Sequence, residues 1–249
     1  MRKWYHLLNE EFSGILKPLL VICLFNTAGQ LLLVKIRARD FEALISRFEN
    51  LYISSGSVIL FTICLLAVVG LFVIAFYRHY WGSKSIYTLM TLPVSRSKIY
   101  LAMFVSNCLG LMLFYLLNFV TVFLSYCLYV SELNNFSSGK AYIMNNGLFL
   151  GLVRSDVFRI IFPLTLNGQL FLAIAFLLIP AAVLFSVISE RGLRYSNLIL
   201  SGISIFLIVV GISQGIASTV TTLVNVLMTI LLVLLVAISI RLVNKNSIS

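Results

Sequence analysis

The chain has 249 residues, 61% of them hydrophobic and only 10% charged, with a mean hydropathy of +1.06. So few charges over such long apolar runs exclude an ordinary soluble domain and point to a polytopic membrane protein. The formal charge of +10 would suggest a nucleic-acid partner for a soluble protein; here it is read as loop topology, and no nucleic acid is expected.

The N-terminus carries Arg2, Lys3 and His6 but no apolar run ending in a small-residue cleavage site, so no removable signal peptide is expected. Trp4, Leu8, Phe12 and Ile15 recur at helical spacing, which predicts an interfacial helix over residues 1–16 lying flat on the inner leaflet. Six apolar segments follow, at 17–34, 56–77, 99–130, 160–189, 197–213 and 216–240. Each reaches or approaches the ~20 residues that cross ~30 Å of hydrocarbon as a helix. The expected class is all-α, one transmembrane domain over residues 1–249. The third and fourth segments are overlong and should tilt, kink or protrude, with Pro163 and Pro180 as breaks in the fourth. Outer loops are expected at 35–55 and 131–159, the second with an apolar patch, residues 148–153, that caps or dips into the outer leaflet.

An even number of spans puts both termini on one side, together with the loop at 78–98. That side then holds eleven Lys and Arg against seven on the other, which places the termini in the cytoplasm of a cell-membrane protein. Lys35, Arg37 and Arg39, just beyond the first span, run against this assignment.

Within the 78–98 loop, Ile86, Leu89 and Met90 recur at i, i+3 and i+4, giving a short helix one greasy face. Leu92-Pro93 stops that helix, because the residue before proline is pushed out of the α region. Ser95 then restarts the chain as an N-cap. The product is an apolar knob attached to a membrane helix. It either rests on lipid headgroups or docks in a groove on another protein, and its direct feed into the overlong third span favours docking.

The deep polar residues of the spans are neutral: Asn26, Thr27 and Gln30 in the first, Asn107, Asn118 and Thr121 in the third, Asn225 in the sixth. They either hydrogen-bond between packed spans or line a weakly polar cargo path made of Asn26, Gln30, Tyr115, Asn118, Thr121 and Asn225. No Asp, Glu, Lys, Arg or His lies deep in an apolar run, which disfavours a proton-coupled carrier. Cys23, Cys64, Cys108 and Cys127 lack metal-ligand spacing and read as small buried hydrophobes. No phosphate-loop pattern occurs, and two histidines at membrane edges support neither a metal nor a Ser-His group, so no enzyme activity is expected.

The stretch from Gly82 to Ile99, and above all Leu92-Pro93-Val94-Ser95-Arg96, resembles the membrane subunits of ABC-2 type exporters. In that family such a stretch is the cytoplasmic coupling helix between the second and third spans, and the six-span plan is similar too. The resemblance implies a permease that binds no cofactor itself. Two separate ABC ATPase subunits would hold ATP and magnesium, and a second permease subunit, identical or related, would complete the assembly in the lipid bilayer. It implies that Ile86, Leu89, Met90 and Leu92 fill the ATPase groove, with Ser85 and Pro93 bounding the helix and Tyr87, Arg96 and Lys98 at the polar rim. Uncharged spans fit an amphipathic or hydrophobic cargo, such as a peptide, antimicrobial or drug. The alternative is a non-transporting immunity or sensor protein that grips peptides with its outer loops.

Overall fold

The computed structural model describes residues 2–39, 47–78, 95–135, 146–191, 198–216 and 222–245. Among them the chain is built of helices: α1 (Arg2–Ala38), α2 (Phe48–Ser54), α3 (Ser57–Arg78), α4 (Arg96–Asn135), α5 (Gly147–Arg154), α6 (Asp156–Ile161), α7 (Leu166–Arg191), α8 (Leu198–Ile216) and α9 (Thr222–Lys245). Six of these, α1, α3, α4, α7, α8 and α9, are long and apolar enough to cross a membrane. This is the plan of a multi-pass membrane protein, since a helix satisfies its backbone within itself where lipid offers no partner.

The bundle has two halves. α1 packs along α4 and α3 around Leu19, Val68, Phe72, Leu111 and Phe114. α7 packs along α9 and α8 around Phe171, Leu178, Phe185, Met228 and Leu235. Contacts of α7 with α3 and α4 join them. At one end, α2 and α6 close the first half with a ring cluster in which Phe48 stacks on Phe158 at 5.9 Å and Tyr52 meets Phe158 at 4.9 Å. Gly56, at φ +80°, makes the sharp turn from α2 into α3, a conformation open to glycine at little steric cost.

The opposite end gathers the N-terminal part of α1, the last turns of α7 and α9 and the flanks of the 79–94 segment. Tyr77 donates to the Glu190 carboxylate, and the Ser97 hydroxyl donates to Asn244 Oδ1 at 3.1 Å. Arg78 Nη1 donates to the Gly14 carbonyl at 3.4 Å. That carbonyl is the one Pro18, lying inside α1, cannot bond, because proline has no N–H for the residue four before it. Glycine at position 14 leaves room for this approach, since an added Cβ would stand 2.4 Å from the Arg78 guanidinium and push it aside.

Several expectations change. The N-terminal segment is not a separate helix: residues 2–38 form one α1, despite Pro18. Its buried stripe is Leu7, Glu11, Ile15 and Leu19; of the residues expected to rest on the leaflet, Trp4, Leu8 and Phe12 are half-buried and Ile15 is buried. The fourth span starts at Leu166, with 156–161 set off as α6 by the break at Pro163, whereas α7 runs on through Pro180. Cys127 is exposed and Cys108 half-buried; only Cys23 and Cys64 are core residues. The third span is longer than expected, 40 residues or roughly 60 Å at 1.5 Å per residue, so it extends well past a ~30 Å hydrocarbon core.

The α7–α8 contact makes a prediction. A Cβ on Gly211 would lie 2.0 Å from the Phe171 ring, while Gly70 and Gly202 face open space. Gly211→Ala should destabilise by roughly 1–3 kcal/mol in thermal unfolding in detergent. Gly70→Ala and Gly202→Ala should be neutral or stabilise by up to about 1 kcal/mol through helix propensity. Equal effects at all three positions would refute this packing.

Candidate functional site

Two features of the bundle have the chemistry of a site: a buried amide cluster and an apolar slot.

The cluster lies between α1 and α4. Asn26 and Gln30, one turn apart on α1, and Asn118 on α4 are each no more than 1% exposed. Gln30 Nε2 donates to Asn26 Oδ1 at 2.8 Å and to Asn118 Oδ1 at 3.0 Å, and Asn26 Nδ2 donates to Asn118 Oδ1 at 3.3 Å. The Tyr52 hydroxyl of α2 donates to Gln30 Oε1 at 2.7 Å. Beside it, the Thr27 and Thr121 hydroxyls meet at 3.0 Å, each also within reach of a carbonyl of its own helix, Cys23 or Leu117; one hydroxyl donates across the seam while the other donates to its own helix. Asn118 Nδ2 is left without a partner. Burial pushes the Tyr52 phenol well above its ordinary pKa, so it stays a neutral donor at physiological pH.

Four of the six residues expected to line a path, Asn26, Gln30, Asn118 and Thr121, therefore come together, but they face one another and are enclosed. The other two lie apart. Tyr115 donates to the Ile161 carbonyl of α6, and Asn225 Nδ2 donates to the Asn167 carbonyl of α7 at 2.9 Å. Tyr52 was missed because it sits on a seven-residue helix inside a stretch read as an outer loop. Phe48, Leu51 and Tyr52, at i, i+3 and i+4, were the available signal. Glu11 was missed as well. It is 5% exposed and shares with Asn107, Ile15 and Phe72 a cavity of about 10 Å³, room for about one water.

The slot has a volume of about 370 Å³ and is walled by α3, α4, α6, α7 and α8. Its surface comes from residues such as Phe61, Leu65, Ile160, Leu172, Phe176 and Ile208. Thr62 and Tyr115 are the polar side chains that line it, and both are already engaged, with the Val58 and Ile161 carbonyls. Among the described residues no three His, Cys, Asp or Glu side chains converge as metal ligands would.

Of the docking set, Ser85, Ile86, Tyr87, Leu89, Met90, Leu92 and Pro93 lie outside the described residues. Arg96 and Lys98 are in the first turn of α4, half-buried and exposed respectively. α4 starts directly after Ser95, whose carbonyl accepts from Lys98 N at 2.9 Å and from Ile99 N at 3.4 Å.

The cluster yields a second prediction. Tyr52→Phe strands Gln30 Oε1 in a buried place and should cost roughly 1 kcal/mol, within the 1–3 kcal/mol of an unmet buried acceptor. Asn118→Leu removes the acceptor shared by α1's two amides and should cost more. Asn225→Leu, which frees only one backbone carbonyl, should cost less than Asn118→Leu. Unfolding midpoints in detergent read all three, and a larger loss for Asn225→Leu would overturn the ranking. Comparison with known proteins supplies no identity: no family model matches the chain, and neither a curated protein nor a solved structure does.

Proposed function

We propose that the chain is the membrane subunit of an ATP-driven ABC exporter of the ABC-2 type, in a cell membrane with both termini cytoplasmic. The observation that carries the reading is the Leu92-Pro93-Val94-Ser95-Arg96 sequence running straight into a 40-residue helix. In this reading the segment before Ser95 forms a docking knob, and α4, which touches both halves of the bundle, carries a push on it into the bilayer.

In this reading a separate ATPase subunit takes the greasy face of Ile86, Leu89, Met90 and Leu92 into its groove. ATP and magnesium belong to that partner. Two such ATPases and a second permease, identical or related, complete the assembly. Closure of the ATPases on ATP would press on the segment before Ser95, tilt α4, and alternate access for an amphipathic or hydrophobic cargo. The enclosed amide cluster would move with α1 and α4 as a rigid unit.

The test is co-purification from the native membrane. Replacing Leu89 and Met90 by Asp should abolish recovery of a phosphate-loop ATPase with the tagged chain, at least about tenfold, since two buried apolar contacts become charged. Membrane insertion should be unchanged. Undiminished recovery, or labelling of a cysteine at position 87 from outside the cell, would overturn the docking model and favour an immunity or sensor protein.

A further inference from the structure

The slot's walls give it a ligand class. From Val58 to Leu65 on α3 and from Phe171 to Ile179 on α7 it extends about 10 Å along the helices at 1.5 Å per residue. That is most of the ~15 Å of hydrocarbon in one leaflet. It spans both halves of the bundle toward the end that α6 closes, away from the end where Arg78 meets Gly14 and Ser97 meets Asn244. Thr62 and Tyr115 already donate to backbone carbonyls, so the walls ask nothing polar of what fills them. An empty apolar groove of this size would forfeit the dispersion contacts of its lining.

A charge lies close along the chain to one of its walls. α6 forms one wall with Val157, Ile160 and Ile161. Arg159 on the same helix is committed, to Asp156 at 3.5 Å and to the Val153 and Arg154 carbonyls. Arg154, three residues before Val157, is exposed, and among the described residues its guanidinium has no ion pair. An apolar trench beside an uncommitted cation is the pattern that recognises an anionic amphiphile.

We propose that this slot binds one acyl chain of an anionic bilayer phospholipid, with its headgroup at Arg154. The site does not depend on an ATPase partner and stands or falls apart from the transport reading.

The test uses the full chain in nanodiscs of phosphatidylcholine that carry phosphatidylglycerol with a photoreactive group on one acyl chain. Crosslinks mapped by mass spectrometry should concentrate on slot residues such as Phe61 and Leu172. Leu172→Trp and Ile208→Trp, which fill the slot from two walls, should each lower labelling at least about fivefold. Ile74→Trp, the same residue introduced at an exposed position of α3, should stay within about twofold. Arg154→Gln should cut the preference for phosphatidylglycerol over phosphatidylcholine about fivefold. Helical circular dichroism and a monodisperse elution profile show that each variant folds, and one folded slot variant suffices. Labelling spread evenly around the bundle, or undiminished in a folded slot variant, overturns the proposal. So does displacement of the label by an apolar helical peptide but not by unlabelled phosphatidylglycerol, which would assign the slot to a peptide.

Discussion

In lipid, apolar side chains have no water to flee, so helices need packing and hydrogen bonds to choose a neighbour. The Asn26–Gln30–Asn118 cluster supplies that choice for α1 and α4. Each amide would be costly facing hydrocarbon, and their mutual bonds, which leave only Asn118 Nδ2 of the three side chains unmet, form when α1 stands in one rotation and one register against α4. Tyr52 extends the constraint to α2, and the Thr27–Thr121 contact adds to it beside the amides. With that pair set, α3 packs on α1 through Phe72 and Val68, and the ring cluster of Phe48, Tyr52 and Phe158 closes the end. The second half relies on a sparser polar contact, Asn225 to the Asn167 carbonyl, and on apolar packing around Met228 and Phe185.

This division has a functional side. The densest interhelical hydrogen bonding lies inside the α1–α4 seam, whereas the roomy slot is lined by apolar surface and by two polar side chains already engaged. Polarity and volume lie in different places. A hydrophilic solute would find no partners in the slot, while an apolar chain would find close contact on several walls. The engagement of Tyr115 with α6 is what turns an aromatic with a polar tip into plain wall.

How much of this was legible in the sequence depended on range. The six spans follow from local apolar runs, and the structure moves their limits by a few residues in most cases. The exceptions have local causes: Pro163 splits the fourth segment, and α1 absorbs the N-terminal stretch because a proline four residues past a carbonyl with another donor is tolerated. Asn26, Gln30, Asn118 and Thr121 were visible as polar residues in apolar runs, but whether they met one another or a ligand is a fact about helix rotation that no local pattern carries. Tyr52 and Glu11 were harder still, one on a short helix outside the spans, the other facing the core from a flank that reads as polar. The slot was invisible because its lining comes from helices spread between residues 58 and 212.

The joint where Arg78 reaches Gly14 bears on how α1 bends. Proline leaves a helix with one open link and hence a soft spot. Here the missing strut is lent by a different helix, through the last described residue before the 79–94 segment. The rigidity of α1 near its midpoint is thus borrowed and returns to its lender. Pull the guanidinium away by one turn, and the rod becomes a hinge without any change in α1's own residues.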